Sequence, residues 1–163
     1  MTITLRPASP EDEPFLYELY CSTRAEEMAP WGLDQAQQKA FLESQFTARQ
    51  RHYDIAFSGA EHKIILCDDH SIGRMLVYRS EREIRLVDIA LLPEHRNGGI
   101  GASLLQALLE DARSTGKTVT LHVDKLSRAA RLYQRLGFSV IDDAGGSYKM
   151  EWQPEGNQTT ETE

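Results

Sequence analysis

The sequence LVDIALLPEHRNGGIGA occupies residues 86–102 and joins an apolar strand to a helix through a loop with three glycines in four positions. Glycine lets the backbone turn its N–H groups inward, and the first turn of the following helix adds N–H groups that have no partner within the helix. The helix dipole favours negative charge at that end, and Arg96 can add a full positive charge. The stretch therefore predicts a phosphate-binding loop.

Two better-known phosphate-binding loops do not fit this stretch. A P-loop requires Lys and then Ser or Thr after its last glycine, where this chain has Ala102 and Ser103. The dinucleotide-binding fingerprint requires a third glycine at the position of Leu104. The loop therefore belongs to neither class.

A second pattern lies downstream, where residues 127–138 read SRAARLYQRLGF. Arg96, Gly99 and Gly101 match the spacing R/Q-x-x-G-x-G/A, and the downstream stretch carries Leu-Tyr on a helix that ends in Leu-Gly-Phe. The two patterns, in this order, resemble the signatures of the GCN5-related N-acetyltransferase (GNAT) superfamily. The resemblance covers roughly residues 3–152. A tight strand-to-helix turn without a ligand is the alternative for the glycines.

The resemblance implies a mixed α/β (α+β) fold. We expect a single domain over residues 1–153, with a central mixed, mostly antiparallel twisted sheet of six to seven strands flanked by about four helices. Residues 154–163, PEGNQTTETE, contain no apolar residue and predict a disordered tail. A chain of 163 residues suffices for one domain with a substantial core.

The local pattern predicts the individual elements. Ser9 and Asp34 are candidate N-caps, the latter with Gln37 in a capping box. The predicted helices run from Ser9 to about residue 26, from Asp34 to about residue 50, over 99–115 and over 127–136. The predicted strands cover residues 2–6, 63–67, 72–78, 83–92, 118–123, 138–142 and 146–152, with a hairpin turn over 68–71.

The resemblance also implies the cofactor, acetyl-CoA, and its contacts. Backbone groups of Ile89, Ala90 and Leu91 would pair with the pantetheine arm. Ser127 stands near the place where the family often has an Asn that contacts the cofactor, and it can also cap the helix. Six residues after Arg96 would surround the pyrophosphate, namely Asn97, Gly98, Gly99, Ile100, Gly101 and Ala102.

Transfer to an amine requires a proton acceptor, because an alkyl ammonium has a pKa of about 10.4. His122 lies on the polar side of its predicted strand, where some family members have a catalytic Glu. Asp88 is a second candidate, either directly or by orienting His122. Water is a third. A hydrogen-bonded histidine on a half-buried strand is the structural alternative for His122.

The CoA thiolate that leaves requires a proton. Tyr133, in the Leu-Tyr pattern, can donate one because a phenol has a pKa of about 10, above the value of about 8.5 for a thiol. A core aromatic with a satisfied hydroxyl is the alternative for Tyr133. The resemblance therefore implies an N-acetyltransferase in which a primary amine attacks the thioester directly.

A non-catalytic acyl-CoA-binding, regulatory or partner-binding domain is the alternative function. The acceptor would be a small-molecule amine or an amine of a protein or peptide, and a homodimer is possible. The net charge of −7 argues against nucleic acid as a partner. Runs of apolar residues are too short for a membrane span, and no leader is visible, so we expect a cytoplasmic protein without membrane contact.

The remaining side chains do not indicate a metal site. Histidines other than His122 lack ligand spacing with Cys, Asp or Glu, so we expect no metal. Cys21 and Cys67 lack CxxC spacing and predict buried thiols. Residues 26–31, EEMAPW, predict a solvated helix end followed by a core Trp31, with an amine pocket as the alternative.

Overall fold

The computed structural model describes residues 1–154, apart from the side chains at positions 26 and 27. That part of the chain contains four α-helices and seven strands. The helices are α1 (Glu13–Met28), α2 (Gln35–Ala56), α3 (Ile100–Thr115) and α4 (Ala129–Arg135). The strands are β1 (Ile3–Pro7), β2 (Glu61–Cys67), β3 (His70–Arg79), β4 (Glu83–Leu91), β5 (Thr118–Asp124), β6 (Ser139–Asp143) and β7 (Ser147–Trp152).

The strands form one mixed sheet in the order β1-β2-β3-β4-β5-β7-β6. Strand β4 pairs in parallel with β5 through Glu83–Leu86, whereas the pairs β1 with β2, β5 with β7 and β6 with β7 are antiparallel. The parallel pair requires a crossover, which α3 supplies. The predicted mixed α/β fold, with a mixed sheet of six to seven strands and about four helices, is confirmed.

The chain forms two compact units. Among the described residues, the first unit comprises residues 1–76 and 88–97, and the second comprises residues 77–87 and 98–154. The single domain over residues 1–153 stays a prediction. The disordered tail predicted over residues 154–163 stays one too, because residues 155–163 lie outside the described residues.

In the first unit, α1 and α2 pack together on an apolar cluster of Leu16, Tyr20, Phe46 and Ile64. Asp34 caps α2 as predicted, since its carboxylate accepts the amide N–H of Gln37 at 2.8 Å. In this arrangement Gln50 of α2 accepts a hydrogen bond from Arg74 of β3 at 3.2 Å.

Three predictions in the first unit were wrong in detail. Ser9 is an N-cap as predicted, but it caps a 3-10 turn over Pro10–Asp12, in which the Asp12 carboxylate accepts the Ser9 amide, and α1 itself begins only at Glu13. Helix α2 continues past residue 50 to Ala56, with Arg49 donating to the Tyr53 hydroxyl one turn later. Trp31 is not a core residue but is 49% exposed, packed edge-on against Phe41.

In the second unit, α3 and β5 share a core. One face of α3 is buried, as its apolar spacing predicts, through Ile100, Leu105, Leu108, Leu109 and Ala112. The alternate residues Val119, Leu121 and Val123 of β5 are buried as well. This packing fixes where α3 begins.

The second sequence pattern has a structural basis at Gly137. This residue follows α4 with φ of +105°, a conformation that L-residues other than glycine rarely adopt. A Cβ atom at this position would lie 3.1 Å from Cδ1 of Trp152, which is buried. Only glycine therefore lets the chain turn from α4 into β6 beside that indole ring.

We expect Gly137→Ala to lower the free energy of unfolding by about 2–3 kcal/mol, because it adds both backbone strain and a contact with Trp152. Gly116→Ala is the matched control, since φ there is +70° and a Cβ atom would meet no neighbour within 4 Å. The control should cost only about 1 kcal/mol. Thermal unfolding followed by circular dichroism measures the difference, and equal losses would contradict the role of Trp152.

Candidate functional site

The predicted site residues fall in both units. Residues 88–97 belong to the first, whereas the start of α3, His122, Ser127 and Tyr133 belong to the second. The parallel pairing of β4 with β5 spans Glu83–Leu86, and β4 continues to Leu91.

Arg96 is exposed and folds back on the end of β4. Its Nε donates to the carbonyl oxygen of Leu91 at 2.9 Å, across the 3-10 turn Pro93–His95. A carbonyl oxygen has two lone pairs, so this bond leaves Leu91 able to accept a second hydrogen bond. The guanidinium is thus held against the end of β4, within the first unit.

The first turn of α3 offers unpaired backbone donors. Gly99 is its N-cap, with φ of +84°, and no side chain caps the helix. The amide of Ser103 donates to the Gly99 carbonyl at 3.0 Å, so the preceding N–H groups of Ile100, Gly101 and Ala102 lack a partner within the helix. These donors and the helix dipole are suited to an anion.

Space beside this turn is open. Cβ atoms built on Gly98, Gly99 and Gly101 would meet no protein atom within 4 Å. Protein packing therefore does not require glycine at Gly98 or Gly101, whose φ values are ordinary. Glycine at these positions instead lets a ligand approach the backbone closely. The residues thus fit a pyrophosphate group.

A glycine that the sequence analysis did not single out controls the end of β4. A Cβ atom on Gly73 of β3 would lie 2.2 Å from the carbonyl oxygen of Ala90, which is too close for any side chain. A lone glycine within a strand pattern is the signal that could have indicated this close approach. Gly73 therefore fixes the backbone of Ala90, one of the predicted pantetheine contacts.

Asp88 lies between two arginines. Its Oδ2 accepts from Arg74 Nε at 2.8 Å, and its Oδ1 lies 3.3 Å from Arg49 Nη2. Arg74 is buried, with its side chain 7% exposed. The sequence analysis missed both arginines, although a charged residue inside the apolar run of β3 is a signal for a buried ion pair.

His122 is exposed on β5 as predicted, and its ring faces cations. Nδ1 lies at hydrogen-bond distance from Nη2 of Arg85, and the cross-strand neighbour of His122 is Lys149. Burial, the charge of Arg85 and the charge of Lys149 lower the pKa of His122. The imidazole is therefore neutral at pH 7.

The contact with Arg85 also selects a tautomer. A guanidinium only donates, so Nδ1 of His122 must accept, and the single proton of the neutral ring lies on Nε2. The lone pair that could take a proton from a substrate is thus the one that Arg85 occupies. Proton uptake by His122 requires Arg85 to move.

The second pattern places Ser127 and Tyr133 around α4. The predicted helix start at Ser127 is displaced to Ala129, whose amide donates to the Ser127 hydroxyl at 3.1 Å. Tyr133 is buried, and its ring lies 5.7 Å from that of Phe138, centroid to centroid. The catalytic and cofactor roles of these residues stay predictions.

Other candidate sites receive no support from the described residues. Within residues 1–154, no group of three or more His, Cys, Asp and Glu side chains is arranged to hold a metal ion. None of the helices in that range has the length and hydrophobicity of a membrane span. Cys67 is buried as predicted, whereas Cys21 is only partly buried, and both thiols are free.

The chain matches the model of the acetyltransferase (GNAT) family over residues 15–138. Solved structures with the same fold include the PaiA N-acetyltransferase of Thermoplasma acidophilum in complex with coenzyme A, with 21% identity and a TM-score of 0.71. That match covers 94% of this chain and 99% of the other.

Two further matches are named for their acceptors. The ribosomal-protein-S18-alanine N-acetyltransferase of Escherichia coli is 18% identical with a TM-score of 0.61, over 93% of this chain and 94% of the other. A spermidine N-acetyltransferase chimera from Vibrio cholerae and hSSAT is 17% identical with a TM-score of 0.64. That match covers 98% of this chain and 99% of the other. At these identities the matches establish the fold.

We expect Arg85→Gln to raise the pKa of His122, because the substitution removes both a nearby positive charge and a donor to Nδ1. Lys149→Gln is the control and should raise it less, because the charge of Lys149 has the smaller effect. Titration of the His122 ring by NMR gives both values. An unchanged pKa in Arg85→Gln would contradict the electrostatic origin of the shift.

Proposed function

This chain belongs to the acetyltransferase (GNAT) family, and we propose that it transfers the acetyl group of acetyl-CoA to a primary amine by direct attack on the thioester. The observation that carries the proposal is the first turn of α3, where unpaired N–H groups and open space beside glycines meet the requirements of a pyrophosphate. The acyltransferase activity follows from the family.

The cofactor contacts are proposed as follows. N–H groups of residues 97–102 surround the pyrophosphate, with Arg96 adding charge at the rim. Ile89, Ala90 and Leu91, beyond the paired part of β4, offer backbone groups to the pantetheine amides. The hydroxyl oxygen of Ser127 offers a lone pair to a donor group of the cofactor. Acetyl-CoA, once bound, supplies an activated acyl group, and the protein positions it for attack.

The proton acceptor is His122, Asp88 or water. Both oxygens of Asp88 are engaged by Arg74 and Arg49, so its carboxylate already serves as the partner of two guanidiniums. Neutral His122 retains basicity, and Arg85 must leave Nδ1 before the ring accepts a proton. We therefore favour His122 or water, with Asp88 holding the two arginines in place.

The proton donor to the departing thiolate is Tyr133. A phenol is a weaker acid than a thiol, so transfer becomes favourable once sulfur has gained negative charge. Packing of Tyr133 on Phe138 restricts its ring and holds the hydroxyl in one place. Neither cysteine is assigned a covalent step, because both lie far in sequence from the two patterns.

The acceptor is a small-molecule amine or an amine of a protein or peptide. Family relatives of the same fold include enzymes named for spermidine and for the alanine of a ribosomal protein. This range supports the general class of acceptor but not one member of it.

We expect Gly101→Asp to weaken acetyl-CoA binding at least about tenfold, because it places a carboxylate in the proposed pyrophosphate site. Gly101→Asn has the same shape without the charge and should weaken binding less. Calorimetric titration with acetyl-CoA measures both affinities.

Folding of Gly101→Asp should be intact, since an acidic residue in the first helical turn stabilises α3 by about 0.3–1 kcal/mol. Failure of the folded wild-type protein to bind acetyl-CoA would refute the proposed function. Unchanged affinity in Gly101→Asp would instead show that the pyrophosphate binds at another place.

We expect Tyr133→Phe to lower kcat about 100-fold, because it removes the proposed proton donor and keeps the aromatic packing on Phe138. The KM for acetyl-CoA should stay close to that of the wild type. Tyr148→Phe in β7 serves as the control and should leave kcat unchanged. Steady-state kinetics with an amine identified by screening give these values, and an unaffected kcat in Tyr133→Phe would identify Tyr133 as a core residue only.

A further inference from the structure

A cavity of about 340 Å³ lies in the first unit, apart from the residues assigned to acetyl-CoA. The end of α2, the loop after it and strands β2 and β3 supply the lining residues. Polar lining residues include Gln50, Tyr53, His62 and Arg74, and apolar ones include Leu76. The cavity therefore combines hydrogen-bonding groups with space for a hydrocarbon body.

The charge beside this cavity is not balanced. Arg74 and Arg49 share the single carboxylate of Asp88, while Nη1 of Arg74 donates to Gln50 Oε1 at 3.2 Å. Two guanidiniums and one carboxylate leave an excess of one positive charge in a cluster whose central arginine is buried. Arg74 is paired with Asp88, but it shares that carboxylate with Arg49, whose side chain is 33% exposed. An anion in the cavity beside Arg74 would balance the positive charge that the shared carboxylate leaves.

A second, independent observation is the ring of His62. Its Nε2 is buried and has no hydrogen-bond partner among the described residues. Burial and the charge of Arg74 lower the pKa of His62, so the ring is neutral at pH 7 and can carry its proton on Nε2. The hydroxyl oxygen of Tyr53 accepts from Arg49 Nε at 2.7 Å, which leaves the Tyr53 proton to donate.

Acidic side chains near the cavity do not cancel its preference for an anion. Asp54 lines the cavity but is exposed, so water and salt screen its charge. Asp12, which also acts on His62, is paired with Arg6 at 2.7 Å. Asp88, the partner of Arg74, also acts on His62 in the opposite direction, but the charge of Arg74 has the larger effect.

We propose that this cavity binds the carboxylate group of a small organic acid, with Arg74 as its ion partner and His62 and Tyr53 as hydrogen-bond donors. The planar carboxylate matches the fork of a guanidinium, and its single charge equals the excess of the cluster. Leu76 and the other apolar lining residues contact the hydrocarbon part. The acid is either an acceptor amine that carries a carboxylate or an effector that is not acetylated.

Calorimetric titration of the full chain with benzoate and with benzamide tests the proposal, because the two probes have the same shape and differ in charge. We expect benzoate to bind at least about tenfold more tightly than benzamide. The NMR signal of the His62 ring, assigned with His62→Leu, should shift saturably with benzoate. Equal binding of both probes, no binding of either, or an unmoved His62 signal would overturn the proposal.

Variants show which residues contact the carboxylate of benzoate. Arg74→Gln and His62→Leu should each weaken benzoate binding at least about tenfold, and His62→Leu leaves the ion-pair cluster intact if Arg74→Gln fails to fold. Arg51→Gln removes an exposed arginine of the same helix and should not change the affinity. An equal loss in Arg51→Gln and in the two cavity variants would contradict the assigned contacts.

Kinetics with acetyl-CoA distinguish the two sources of the acid. If the cavity holds the acceptor, benzoate competes with 4-(aminomethyl)benzoate, and Arg74→Gln raises the KM of that amine but not that of 4-(aminomethyl)benzamide. If the cavity holds an effector, benzoate changes the rate with both amines without competing. Benzoate binding is measured without acetyl-CoA, so its outcome is independent of whether the proposed transfer occurs.

Discussion

Packing of α3 against β5 is the constraint on which the proposed chemistry depends. The buried leucines of the helix and the alternate apolar residues of the strand meet in one core. This contact determines the position of the first turn of α3. Since that turn has no side-chain cap, its N–H groups stay available. A hydrophobic contact between two elements thus positions polar groups at one end of one of them, without any polar side chain being required to do so.

Arginines dominate the electrostatics of both units, and they act on the two candidate bases in the same way. Arg85 occupies the lone pair of His122, and Arg74 with Arg49 occupies both oxygens of Asp88. A lone pair that already accepts from a guanidinium cannot take a proton until that donor moves. The proposed reaction consequently depends on a rearrangement at Arg85 or on water, and not on the basicity of an isolated side chain.

The sequence predicts local features well and long-range contacts poorly. The stripe of α3, the Asp34 cap and the turn between β2 and β3 depend on neighbouring residues, and all are present, with Asp68 and Asp69 both at positive φ. The extension of α2 to Ala56 depends on an Arg49–Tyr53 contact that periodicity does not reveal. Arg49, Arg74 and Asp88 lie far apart in sequence, so no spacing rule predicts their cluster. Their meeting follows only from the packing of α2 on the strands.

Charge also differs between what the whole sequence indicates and what the folded interior contains. The net charge of −7 favours a cationic or amine partner, yet the buried cluster in the first unit carries an excess positive charge. Charges on the surface are screened over about 10 Å at moderate salt, whereas those in the interior are screened much less. Net charge therefore governs how a ligand approaches the whole molecule, and a few buried groups govern which ligand a cavity holds. An acceptor with an amine at one end and a carboxylate at the other satisfies both conditions.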